Sequence, residues 1–179
     1  MSAENFTNEA VDIDALPKYE EILLNKPHPD YLKIIFIGFT IYFVIFGIAI
    51  GLGVNFIDEL RPHAVLIFSV YIGFMALLIL LLIAGFKKRG YAIRTRDVIY
   101  KSGIIAESTT IVPLNRIQHI ELNEGIFSRM FKLGTLQLFS AGGQSGHLNI
   151  AGIPIEQARG IRDLLLKELE GLANQPSDL

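Results

Sequence analysis

The 179-residue chain contains no cysteine, which excludes a disulfide framework, a thiolate-held zinc and a thiol nucleophile. Two long stretches, Ile34 to Ile57 and Ala64 to Phe86, lack Asp, Glu, Lys, Arg and His altogether. Ionisable side chains inside a bilayer mark ion pathways, proton relays and substrate sites, so a transporter or channel is not expected. The glycine-rich "AGGQSG" at 141–146 lacks the Gly-Lys-Ser/Thr ending of a phosphate-cradling loop and stands between strand-like segments, so it reads as a hairpin turn. Ser140 and Ser145 have no nucleophile-elbow sequence around them, and the four histidines assemble with no nucleophile and orienter. His119 and Glu121 share a strand face, yet no cysteine or second converging histidine completes a metal site with them. No catalytic residue, metal or cofactor is expected, and enzyme is the weakest functional class.

What is present divides the chain into three regions. Residues 1–33 are acidic, with seven Asp or Glu against three Lys, residues 34–86 hold the two apolar runs, and residues 87–179 are mildly basic, with twelve Lys or Arg against nine acids. The first run spans about 36 Å as a helix at ~1.5 Å per residue, enough to cross a hydrocarbon core of ~30 Å with some tilt. A domain this small has no shell thick enough to bury helices that are apolar on every face. The first run is also far longer than the roughly 7 to 15 apolar residues of a cleaved signal and follows an acidic segment, so it reads as an anchor.

Only "DELRPH", 58–63, separates the runs, which predicts a tight transmembrane hairpin with both chain ends on one side. Lys18, Lys26 and Lys33 precede it, Arg61 alone sits in the connection, and Lys87, Lys88, Arg89, Arg94 and Arg96 follow. The positive-inside rule then makes both termini cytoplasmic and the protein a two-span inner-membrane protein. The expected segments are a cytoplasmic tail 1–33, helices 34–57 and 64–86 around an external loop 58–63, a cytoplasmic domain 87–172 and a tail 173–179. Gly47 and Gly51 form a GxxxG pair suited to close helix approach, either within the hairpin or between copies.

From Tyr91 the periodicity turns to that of short strands. "YAIRT", "VIYKSGII", "STTIVPL", "RIQHIEL", "TLQLFS" and "HLNI" read as strands, with Pro113 expected at an edge or strand end. "EGIFSRMFKLG" reads as a turn with a short helical or irregular crossing. Ala158, Ile161, Leu165, Leu169 and Leu172 then recur at helical spacing after Pro154. The expected fold is a transmembrane hairpin followed by a small, mainly β barrel or sandwich closed by one C-terminal helix.

The basic exit "KKRGYAIRTRDVIYKSGII", the segment "VPLNRIQHIELNEGIFSRMFKLGTLQLFSAGG" and the closing "IAGIPIEQARGIRDLLLKEL" together resemble the bacterial PH-like (YdbS-like) membrane-flanked domain family, over roughly Pro27 to Leu169. "PLNRIQHIEL" and "RMFKLGTL" carry the most specific part of the likeness. The resemblance implies a pleckstrin-homology-like fold of two bent sheets, about seven strands in all, with a C-terminal α-helix plugging one end. It also implies no enzymatic activity and often a larger membrane partner that holds several copies of the same domain.

Two surfaces remain as candidate sites. Lys87, Lys88 and Arg89 are explained by helix orientation, whereas Arg94, Arg96 and Lys101 continue the positive charge into the domain and suit anionic headgroups, at ~1 kcal/mol per basic residue near the surface, weakened by salt. Asn115, Arg116, Gln118, His119 and Glu121, with Arg129 beyond them, form a partner surface on a strand with one buried and one polar face; a solvated strand is the plainer alternative. The expected function is a non-catalytic scaffold or interaction module at the cytoplasmic membrane face. The alternatives are an anionic-lipid sensor and an accessory subunit of an export or envelope-stress system. Membrane lipids and another membrane protein are the expected partners, and no nucleic acid is.

Overall fold

The first apolar run forms α1, Asp30–Phe56, and the second forms α2, Ala64–Lys88, joined by a 3-10 turn over Asp58–His63 in a computed structural model that describes residues 22–140 and 147–173. The helices have 27 and 25 residues, about 40 and 37 Å at ~1.5 Å per residue. Both are long and apolar enough to cross a membrane. They outlast the uncharged runs, since α1 begins at Asp30 and α2 ends at Lys88. Arg61 in the connecting turn donates to the Asn55 carbonyl at 2.7 Å and pairs with Asp58 at 3.0 Å, placing a cation on the carbonyl end of α1.

Neither helix has a polar face. No residue of α1 is buried, and in α2 only Tyr71 and Gly85 are. The helices meet where Tyr71 stacks on Phe43, with ring centroids 5.3 Å apart, and donates its hydroxyl to the Phe43 carbonyl. Gly47 faces the Tyr71 ring and Gly51 faces Phe68, so the GxxxG pair serves contact within the hairpin. Gly53 and Gly73 face open space.

Beyond α2 come β1 (Gly90–Ile93), β2 (Asp97–Ser102), β3 (Ser108–Pro113), β4 (Ile117–Asn123), a short α3 (Ile126–Met130), β5 (Leu133–Ser140), β6 (His147–Pro154) and α4 (Ile155–Ala173). β1-β2-β3 make one antiparallel sheet and β4-β5-β6 the other. Their inner faces enclose one core: Val98 and Val112 come from the first sheet, Ile120, Leu136, Leu138 and Ile150 from the second. Period-2 alternation delivers these residues to one side of each strand. α4 closes the core with Ala158 and Leu165, both fully buried, while Ile161 and Leu169 pack at its rim. That is the stripe expected at helical spacing; the Leu172 side chain lies outside the described residues.

Several strand limits differ from the sequence reading. β1 stops at Ile93, because Arg94 turns back and its N–H donates to the Asp97 carbonyl at 2.9 Å. β2 stops at Ser102, because Gly103 takes φ +113°, a conformation that side chains rarely adopt. Pro113 ends edge strand β3, where its missing N–H costs no ladder bond. The "AGGQSG" hairpin, Ser145, most of the 1–33 tail and residues 174–179 lie outside the described residues.

The described strands number six rather than the expected seven. In place of a further strand, a strap before α1 runs along the open side of the sandwich. Asn25 pairs with edge strand β1 through two bonds to Tyr91, 2.7 and 2.9 Å, and the His28 N–H donates to the Gly152 carbonyl of β6 at 2.8 Å. Pro27 and Pro29 have no N–H to give, which limits the ladder to a single bridge. Gly152 has φ +80°, and a Cβ there would stand 2.7 Å from the Tyr31 ring. The strap thus ties the edges of both sheets to the start of α1, and the chain enters and leaves the hairpin at the same end.

Candidate functional site

β1 leaves the end of α2 at Gly90, which lies opposite Lys101, and reaches its far end at Ile93, opposite Val98. The sheet therefore divides the six basic residues into two groups. Lys87, Lys88, Arg89 and Lys101 stand at the helix end, whereas Arg94 and Arg96 lie on the β1–β2 turn at the opposite end of the strands.

Pairing divides them again. Glu107, on the β2–β3 loop, binds Lys101 at 2.7 Å and Lys88 at 2.9 Å. Hydrogen bonds from Lys101 and then Lys88 hold its carboxyl at about 2, well below the ordinary 4.5. Lys88 also reaches the Ile104 carbonyl, at 3.4 Å. Arg94 is clasped by Asp97 through two hydrogen bonds, which raise the guanidinium pKa further. Among the described residues Lys87, Arg89 and Arg96 have no acidic partner. Lys26 of the strap adds a further cation at the helix end by donating to the Lys87 carbonyl at 3.2 Å. Arg89 is half-buried beside Tyr100, whose phenol is pushed up by burial while the Arg89 charge pulls the other way.

The second surface lies on β4, an edge strand of its sheet. Ile117 and Ile120 point inward, and Gln118, His119 and Asn123 are exposed. A register shift between Ile117 and His119 lets Gln118 and His119 both face out. His119 Nε2 lies 3.1 Å from Glu121, and its ring leans on Phe139, which meets His147 edge-on. Among the described residues no third acid or histidine joins this pair. Asn115 and Arg116 sit exposed on the 3-10 turn leading into β4, and Arg129 is exposed on α3.

Two three-stranded sheets around one core, closed by a C-terminal helix after an apolar helix pair, have a family counterpart: the bacterial PH domain family matches residues 33–169. The chain belongs to that family. A search of curated proteins and of solved structures found no match to the chain. PH domains are in general non-catalytic modules that bind lipids or proteins, and this PH domain encloses no polar side chain among the described residues.

Sequence reasoning missed three parts of these surfaces: Glu107, which ties up two of the cations; Ile104, which lies 3.2 Å from where a Gly85 Cβ would be; and the strap's hold on Gly152. Glu107 stands alone in "GIIAES" with no neighbouring charge. The two glycines were the available signals, since a glycine in a helix end or strand interior marks close approach.

Proposed function

We propose that this PH domain is a membrane-anchored, non-catalytic interaction module. α1 and α2 cross the bacterial inner membrane, both termini and the domain are cytoplasmic, and the β4 face receives another membrane protein. One observation carries this reading. The strap and β1 meet at one end of a hairpin whose sides are apolar and uncovered, so the domain has no free linker and stays at the lipid surface. The lysines and arginines flanking that end, against a single Arg61 in the connection, support the cytoplasmic side. Tethering raises the effective concentration of other membrane proteins, so a weak interface on β4 suffices.

The test is mild crosslinking of the tagged full-length chain in its native membranes, followed by purification and mass spectrometry. One membrane protein in stoichiometric amount is expected, lost on combining Arg116→Glu with Glu121→Lys while the fold survives. Co-purification that ignores both changes would move the interface off β4. Release of the chain by an alkaline wash would refute the anchoring.

A further inference from the structure

The interaction reading leaves one feature of the hairpin unused. A groove of about 270 Å³ opens between α1 and α2 at the domain end, lined by Phe39, Leu78, Leu82, Gly85, Arg89 and Ile104. A second apolar cavity of about 440 Å³ shares the Phe39 and Leu78 walls with it and reaches Phe46, Ile50 and Tyr71. From Gly85 to Tyr71 the pair descends about 21 Å along α2 at ~1.5 Å per residue, deeper than one leaflet of a ~30 Å hydrocarbon core. We propose that this groove holds an acyl chain of one anionic glycerophospholipid, whose phosphate is bound by Arg89. The proposal rests on the membrane anchoring argued above.

Charge selects that occupant. The apolar run ends at Phe86, so Arg89 stands at headgroup depth, and it is the one cation on the groove wall. Glu107 occupies Lys88 and Lys101, and no acid among the described residues occupies Arg89 or its neighbour Lys87. A guanidinium half-buried beside Tyr100 is screened by salt less than an exposed one and presents a planar fork suited to phosphate. A neutral helix of another protein would fill the apolar part yet leave that guanidinium without an anion. Ile104 of the β2–β3 loop closes the upper wall by seating on Gly85, where a Cβ would stand 3.2 Å from the Ile104 side chain.

The experiment uses the full chain in nanodiscs of equal phosphatidylglycerol and phosphatidylcholine, with retained lipid read by native mass spectrometry during stepwise activation. One phosphatidylglycerol per chain is expected to outlast all phosphatidylcholine. Arg89→Ala should lower its retention about fivefold, the effect of one basic residue at the lipid surface. Arg96→Ala, at the far end of the sheet, should change nothing. Leu82→Trp, which fills the groove, should lower retention of both lipids with the circular dichroism unchanged; Phe39→Trp does the same from the opposite wall should Leu82→Trp misfold. Equal retention of the two lipids, or retention indifferent to Arg89→Ala, overturns the proposal. So does a photo-crosslinker at position 82 that captures a protein in native membranes and no lipid. A chain that survives an alkaline wash but holds no anionic lipid sinks only the groove, whereas a chain released by the wash sinks the anchoring itself.

Discussion

In α1 and α2 large apolar side chains point outward, with Val65 82 % and Leu80 63 % exposed, whereas in the two sheets Leu136 and Ile150 are wholly enclosed. The same residue types therefore contribute to stability by different routes. A side chain inside the sandwich is surrounded by protein, and its removal leaves a cavity that the neighbours fill only in part. On the hairpin a side chain borders whatever solvent covers the helix, and in the membrane proposed above lipid would close over the gap. Leu136→Ala should accordingly destabilise the domain by about 2–5 kcal/mol, and Leu80→Ala by about 0.5 kcal/mol or less. Denaturant unfolding of the full chain in detergent micelles, followed by the near-ultraviolet signal of Tyr91 and Tyr100, measures both. Comparable losses would mean that Leu80 packs against protein.

The strap is where the two regions are joined, and Gly152 is the place to cut it. Its φ of +80° disfavours any side chain, and a Cβ would meet the Tyr31 ring. Gly152→Ala should therefore cost about 1–3 kcal/mol and free the start of α1 from β6. Hydrogen exchange at the His28 amide, which donates to Gly152, should accelerate with it. Gly160→Ala, in α4 and facing open space, should instead stabilise by about 0.5–1 kcal/mol through helix propensity. The contrast separates a glycine that is needed from one that is merely tolerated.

The strap also marks the boundary of what the sequence made legible. Uncharged runs announce their helices because nothing local competes with an all-apolar helix, and the alternation of "RIQHIEL" announces β4 because a half-buried strand repeats every second residue. The α4 stripe through Ala158 and Leu165 follows in the same way. Pairing across distance leaves no such periodic trace. Asn25 meets Tyr91 across the entire hairpin, in a segment broken by Pro27 and Pro29 that reads locally as a linker. The basic cluster was visible as composition, but its division between two ends of a sheet depends on the turn at Arg94–Asp97. That Arg89 is left without an acid while Lys88 and Lys101 are engaged depends on the placement of Glu107.

That engagement yields the smallest effect, and it can be tested by pH. The Glu107 carboxyl sits at about 2 in the folded chain against an ordinary 4.5. A carboxylate depressed on folding adds stability that is complete above its unfolded value and is lost as pH falls through its folded one. The thermal midpoint of the full chain should therefore fall from about pH 4.5 toward pH 2 more steeply than that of Glu107→Gln, with the two converging at the acid end. Added salt should narrow the gap, because the carboxylate and both lysines are solvent-accessible. At neutral pH Glu107→Gln should also release Lys88 and Lys101 toward the lipid surface. The full chain in phosphatidylglycerol nanodiscs should then retain more anionic lipid overall, but with lower selectivity for the single groove-bound molecule. Parallel pH slopes in the two proteins would mean that Glu107 does not hold these lysines, and Lys87 and Arg89 would no longer stand apart from them as the cations of that end that no acid engages.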